Sequence, residues 1–254
     1  MCTLAAYVGT SPTLPLLVAA NRDEFLARPT IDPAAIAVAP WVFAGQDLSA
    51  GGTWFGVNEH GMVVGLLNRR SPGGPDASRR SRGLLCLETL QAASPDAAAA
   101  RLETLSAADY NPFNLLVADR QTALVATPVG GRIHITRLTP GVHLLTNLAL
   151  NDPTCPRIAK SSVRFASLPM PGNGDAAGLI EPLRSILADH STALDPRAEV
   201  IDTLCVHLPG YGTRSSSIVA LDAAGHPRWW HAAGSPCRTP FVELTLPDGD
   251  GNRS

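Results

Sequence analysis

The chain opens Met1-Cys2-Thr3-Leu4-Ala5-Ala6-Tyr7-Val8, breaks at Thr10-Ser11-Pro12, and resumes through Leu14, Leu16, Leu17, Val18 and Ala20 to Asn21-Arg22-Asp23-Glu24. Two short apolar runs around a proline-containing turn predict a β-hairpin over 2–8 and 14–20. The polar residues 21–24 are expected to leave the strand. This opening lacks a basic n-region and is interrupted by Pro12 and Pro15, so it reads as part of the fold rather than as a signal peptide.

Cys2 is the chemically distinctive residue of the hairpin. A small second residue permits removal of Met1, and Cys2 would then carry both a thiol and a free α-amine. An α-amine titrates near pH ~7.7–8.0, so it can act as a base at neutral pH. Nucleophile and base would belong to one residue, as in N-terminal-threonine catalysis. The competing reading is a small buried residue that opens a strand, a common place for cysteine.

Outward from the hairpin, 29–40 reads as loop with at most short extended pieces. Gly51-Gly52-Thr53-Trp54-Phe55-Gly56-Val57 leads into a strand, Glu59-His60-Gly61 is a turn, and 62–67 returns. The unbroken apolar run Met62-Val63-Val64-Gly65-Leu66-Leu67 predicts a strand covered on both faces. Helical spacing follows over 83–93 and again over 97–105. The second of these starts with Ser94 as N-cap and Pro95 at the first helical position. Residues 113–118, 123–127, 132–138 and 141–146 read as a four-strand meander, with Gly130-Gly131 as its clearest turn. Helices are expected over 155–168 and 176–190, and strands over 215–221, 228–232 and 241–246. There is neither an internal repeat nor a linker-like stretch. The order does not alternate as a doubly wound sheet does. It predicts an α+β layered fold, two sheets against each other with helices outside, in a single domain over 1–254.

Composition supports a large core and excludes several classes. Of 254 residues, 45% are hydrophobic and 17% charged, and the net charge is −2. Such a balance gives nucleic acid or an acidic membrane no bulk attraction. No apolar run reaches the roughly 20 residues of a membrane helix. Five widely spaced cysteines without a C-x-x-C pair predict neither a disulfide framework nor structural zinc, and place the chain in a reducing cytoplasm. The seven histidines show no H-E-x-x-H pattern, so no catalytic metal is expected. Phosphate-cradling and G-x-S-x-G motifs are absent.

Polar residues gather where predicted strands end: Asn21 to Glu24, Asn68 with Arg69 and Arg70, Asn147, and Tyr211-Gly212-Thr213-Arg214. Asn amides and backbone N–H groups can form an oxyanion hole. An Asp can orient an α-amine, and an Arg can hold a thiolate or a substrate carboxylate. Taken singly, each also suits turn chemistry or an ion pair. Arg79, Arg80 and Arg82 read as a solvated loop, or as an anion site at the start of the 83–93 helix.

Assembled, these residues resemble a known family. Met1-Cys2-Thr3, Asn21-Arg22-Asp23-Glu24-Phe25 with Arg28-Pro29, Gly51-Gly52-Thr53-Trp54-Phe55-Gly56-Val57, Phe113-Asn114-Leu115, Thr146-Asn147 and Tyr211-Gly212-Thr213-Arg214-Ser215 are similar to the NRDE family, the transport-and-Golgi-organisation family. The resemblance covers nearly the whole chain. It implies a four-layer α-β-β-α sandwich of the N-terminal-nucleophile hydrolase type, similar to the choloylglycine hydrolase and penicillin V acylase branch. Carried over, Cys2 matches the nucleophile, Asp23 the residue that contacts the α-amine, Asn68 and Asn147 the oxyanion-side asparagines, and Arg214 the later arginine beside the thiolate. Asn21, Arg22, Trp54 and Arg69 are expected on the substrate side. In that branch an arginine sits three residues before the aspartate. Here that position is Ala20, and Arg22 stands directly before Asp23, where strand geometry turns neighbours to opposite faces.

The expected activity is amide C–N bond cleavage in a small acylated substrate, without a cofactor. Members of the resembled family are linked to haem trafficking and to lipid or acyl-CoA metabolism. The alternative is therefore a non-catalytic haem, lipid or acyl-CoA carrier. His60, His134, His143, His207 and His231 would be candidate haem ligands, and the Arg cluster would meet phosphates.

Overall fold

The hairpin forms with its predicted partners. Strands β1 (Thr3–Val8) and β2 (Leu16–Phe25) pair antiparallel, with Thr3 opposite Asn21 and Val8 opposite Leu16. Contrary to expectation, β2 does not end at Ala20. It runs through Asn21-Arg22-Asp23-Glu24, because a distant strand pairs with it from Phe25 back to Leu16. The computed structural model describes residues 2–38, 40–71, 73–172, 175–191 and 202–247. Met1 and residues 248–254, parts of the single-domain expectation, lie outside them.

The region expected to be loop holds strand β3 (Thr30–Val38), and β4 (Trp41–Asp47) follows it. Strand β3 is an edge strand with two register shifts, the setting in which its Pro33 is tolerated. Strands β5 (Phe55–Asn58) and β6 (Val63–Asn68) form the predicted hairpin around Gly61. Helix α1 (Arg82–Thr89) is capped by Ser81. Helix α2 (Pro95–Glu103) starts as predicted, with Ser94 Oγ accepting from Ala97 N–H.

Strands β7 (Phe113–Ala118), β8 (Ala123–Val129) and β9 (Arg132–Arg137) complete an antiparallel sheet in the order β3 to β9. Gly130 and Gly131 both take positive φ, 57° and 84°, as a two-residue hairpin turn requires. The expected fourth meander strand, β10 (Gly141–Leu145), instead crosses to the other sheet and pairs with β1. Helix α3 is Pro156–Ala166. The predicted 176–190 helix divides into a 3₁₀ turn, Ala176–Leu179, and α4 (Ile180–Leu187). Pro182 explains the division, since its ring fits only in the first turn of an α-helix. Strands β11 (His207–Leu208), β12 (Tyr211–Leu221), β13 (Pro227–Ala232) and β14 (Val242–Leu244) finish the second sheet, whose order is β10-β1-β2-β12-β13-β14 with β11 beside β12.

Three apolar layers hold the stack together. Leu4, Ala6, Leu16 and Val18 meet Phe55, Val57, Val63 and Leu116 between the sheets. Ala5, Tyr7, Leu17 and Ala19, one residue out of phase, pack under Ile158, Phe165, Leu183 and Leu187 of α3 and α4. Helices α1 and α2 cover the other sheet through Leu85, Leu90, Ala98 and Leu102. Strands buried on both faces are why the sequence shows unbroken apolar runs. The result is the four-layer α-β-β-α sandwich.

Candidate active site

Strand parity sorts the site residues into two faces. Continuing the β1–β2 register one step past Thr3 and Asn21 puts Cys2 opposite Arg22. Directly opposed residues share a face, and that face is the inter-sheet one, where Cys2 and Ala20 pack. Cys2, Arg22 and Trp54 line one cavity there, with Leu66, Ser215 and Ser217. The β1–β10 pairing ends at Leu4 and Leu145, and the chain then bends through 146–149, so Asn147 follows the end of β10 without lining the cavity at Cys2.

Asp23 points the other way. Its carboxylate sits in the α3 layer, where Arg157 Nη1 donates to Oδ2 at 2.9 Å and Thr213 Oγ1 to Oδ1 at 2.6 Å. Arg157 Nη1 also donates to Thr3 Oγ1 at 3.1 Å. Burial pushes the Asp23 carboxyl up, and the Arg157 charge pulls against that rise. The backbone of Asp23 still reaches the nucleophile position, since its carbonyl accepts a long 3.9 Å contact from Cys2 Sγ. Burial raises the Cys2 thiol above its ordinary pKa. The Asp23 charge raises it further and Arg22 opposes both.

Arg22 is 7% exposed, and among the described residues its guanidinium has neither a hydrogen-bond nor an ion-pair partner. It stacks on Trp54, with Cζ 3.9 Å from the ring centroid. The Gly51-Gly52-Thr53-Trp54 segment places that ring. Gly52, at φ +76°, lies so close to the Gly83 backbone that a Cβ would stand 2.1 Å from the Gly83 carbonyl carbon. Trp54 lies over Gly45, where a Cβ would come within 2.5 Å of its ring.

The remaining predicted residues are placed as follows. Asn147 is buried, and its Nδ2 has no partner among the described residues. Asn68 ends β6 opposite Phe113 and is exposed, and Arg69 follows it half-buried. Neither lines the Cys2 cavity. Asn21 Nδ2 donates to the carbonyls of Leu187 and Leu204, at 2.9 and 2.8 Å, so its amide is occupied on the helix side. Arg214 sits in a bulge of β12 and donates to the carbonyls of Leu26 and Arg28 and to Thr30 Oγ1. Arg79 and Arg82 bond the carbonyls of Tyr110 and Pro112, and Arg80 pairs with Glu88. None of the five candidate haem histidines lines the Cys2 cavity.

Arg157 escaped the sequence reading. Its signal was present: Arg157, Ser161 and Phe165 recur every fourth residue on the buried face of α3. The expected absence of metal ligands rested on spacing along the chain, whereas the fold brings His190, Cys205, His207 and Cys237 together from distant positions.

A four-layer sandwich with a cysteine at the start of its first strand is the architecture of the N-terminal-nucleophile hydrolases. Similar solved structures include a variant of conjugated bile acid hydrolase from Clostridium perfringens, with TM-score 0.60, 12% identity, and 99% of this chain and 95% of that one covered. Penicillin V acylase from Agrobacterium tumefaciens is another, with TM-score 0.58, 13% identity, and 98% and 88% covered. A third is the Caenorhabditis elegans ortholog of N-acylethanolamine-hydrolyzing acid amidase, with TM-score 0.55, 14% identity, and 97% and 100% covered. At these identities the likeness is one of fold. The chain itself belongs to the Transport and Golgi organisation 2 family, whose model matches residues 1–232. It is 30% identical over 233 residues to the human Transport and Golgi organization protein 2 homolog, covering 83% of each chain. The Mus musculus homolog is 28% identical over 259 residues, covering 94% of this chain and 89% of that one. Among the described residues no helix is long and apolar enough to cross a membrane.

Proposed function

We propose that the protein is a cysteine N-terminal-nucleophile amidohydrolase that cleaves a non-peptide C–N bond of a small acylated substrate. The observation that supports this reading is the cavity at Cys2, which Arg22 and Trp54 line with it. Removal of Met1, which lies outside the described residues, frees the Cys2 α-amine. Because burial pushes the Cys2 thiol up, a base must take its proton during attack, and the α-amine is that base. Sγ adds to the amide carbonyl, and Asn147 Nδ2 donates to the oxyanion. The C–N bond breaks as the α-ammonium returns the proton to the leaving amine. Water, deprotonated by the same amine, then hydrolyses the thioester and releases the acid. Asp23 orients the Cys2 end: its carbonyl accepts from the thiol, and Arg157 of α3 holds both its carboxylate on β2 and Thr3 on β1. Arg214 supports the turn after β2.

Intact mass and a thiol-reactivity profile test this. The mature chain is expected to lack Met1, and Cys2 to alkylate well before Cys86, whose thiol burial pushes up. A retained Met1, or a Cys2 no faster than Cys86, overturns the proposal.

Arg22 favours a second reading, in which the cavity holds an apolar anion, haem or an acyl chain, without catalysis. A buried guanidinium that, among the described residues, stacks on an aromatic ring but has neither a hydrogen-bond nor an ion-pair partner is costly unless a ligand supplies the counter-charge. Saturable binding of haem that survives Cys2→Ala would support this reading. Nonspecific haze would count against it.

A further inference from the structure

Remote from the Cys2 chemistry, four side chains converge where the chain leaves α4 and where it enters and follows the β11–β13 region. His190 lies three residues beyond α4, Cys205 and His207 flank Val206, and Cys237 lies in the turn after β13. One ligand atom from each lies within 4.8 Å of all the others. Cys205 Sγ is 3.7 Å from Cys237 Sγ and 3.6 Å from His207 Nε2, and His207 Nε2 is 3.2 Å from Cys237 Sγ.

These separations have a specific meaning. Zinc bonds of about 2.3 Å to sulfur and about 2.05 Å to nitrogen require tetrahedral edges of about 3.8 Å between sulfurs and about 3.6 Å between nitrogen and sulfur. Three edges of the cluster lie within a few tenths of an ångström of those values. The sulfurs are too far apart for a disulfide, whose bond is about 2.05 Å. His190 has a ring nitrogen to spare. Its Nδ1 stands 3.1 Å from the Cys205 carbonyl, which fixes that nitrogen as the N–H and leaves Nε2 with the free lone pair.

We propose that His190, Cys205, His207 and Cys237 bind one zinc ion in a closed tetrahedral Cys2His2 site. All four positions belong to the protein, so the ion is structural. It ties the end of α4 to β11 and to the turn after β13. The tie reaches the active site through one residue: Val206 N–H donates to Thr213 Oγ1, and Thr213 in turn donates to Asp23.

The test uses full-length protein without a histidine tag, purified under reducing conditions. Elemental analysis is expected to find one zinc per chain, released stoichiometrically by a chromogenic chelator. Cobalt reconstitution is expected to give the intense visible bands of a tetrahedral site, with sulfur-to-cobalt charge transfer. Cys205→Ser, Cys237→Ser and His207→Gln should each lose the charge-transfer or visible signature, while Cys86→Ser keeps it. If these variants fold poorly, release from the wild type and its cobalt spectrum still decide the matter. Wild-type protein with substoichiometric zinc and no tetrahedral cobalt spectrum overturns the proposal. So does an intact mass lower by two hydrogens, which would mark a Cys205–Cys237 disulfide.

Discussion

Arg157 Nη1 lies 2.9 Å from Asp23 Oδ2, and both side chains are shut off from solvent, at 1% and 0% exposure. The pair joins α3 to the strand that carries the N-R-D-E tetrapeptide. Arg157 Nε and Nη2 find no partner among the described residues, so its desolvation is only partly offset. Replacing one partner leaves the other charge buried, which costs about 3–5 kcal/mol. Arg157→Met is therefore expected to lower the urea midpoint sharply, and Arg157→Met with Asp23→Asn to recover a large part of the loss. A single variant as stable as the wild type would show that the pair does not hold the layers together.

The charge opposite Cys2 gives a prediction about reagents. Arg22 faces the thiol across the β1–β2 ladder, so an anionic alkylating agent should be drawn to Cys2 relative to a neutral one. The ratio of iodoacetate to iodoacetamide rates at Cys2 is expected to fall roughly tenfold in Arg22→Gln, from Coulomb attraction at a few ångströms in a partly buried site. Raising salt should change the wild-type ratio less than the mutation does, because buried charge is weakly screened. An unchanged ratio would place Arg22 out of reach of the thiol.

Much of the architecture was legible because local rules and tertiary pairing agree. The β1–β2 hairpin, the Gly130-Gly131 turn and the Ser94-Pro95 helix start each follow from residues within one turn of one another. What escaped depends on distant partners. The polar Asn21 to Glu24 segment is strand only because β12 pairs with it, and β10 leaves its neighbours because β1 offers an edge. The resemblance named Cys2, Asp23 and Asn147, but strand parity is what separates Cys2 from the Asp23 carboxylate. Arg157 and the His190–Cys205–His207–Cys237 group come from segments far apart in the chain, and single-sequence spacing has no means of joining them.

Gly45 tests how Trp54 is held. A methyl group there would stand 2.5 Å from the Trp54 ring, and a ring edge packed on a strand has little room to give. Gly45→Ala is expected to cost about 1–3 kcal/mol through overpacking, and to slow Cys2 alkylation by iodoacetate as the Arg22–Trp54 stack shifts. Gly172→Ala, with nothing within 4 Å of its added carbon among the described residues, should stay within about 0.5 kcal/mol of the wild type. Thermal melts of the two variants side by side check the contrast.

His231 predicts how stability depends on pH. It is 5% exposed, its Nδ1 lies 2.9 Å from Ser217 Oγ, and its Nε2 is 3.6 Å from the exposed carboxylate of Asp32. Burial lowers its pKa, and the Asp32 charge opposes the shift. The folded chain therefore takes the proton at a lower pH than the unfolded chain, whose histidines titrate near pH ~6.5. The stability contributed by the neutral ring is fully present above that value and is lost as pH falls through the folded pKa. Urea midpoints measured between about pH 7.5 and 5.5 should fall on acidification, and fall less steeply in His231→Gln, which removes the proton acceptor. Equal slopes for the two proteins would assign the acid sensitivity to other groups.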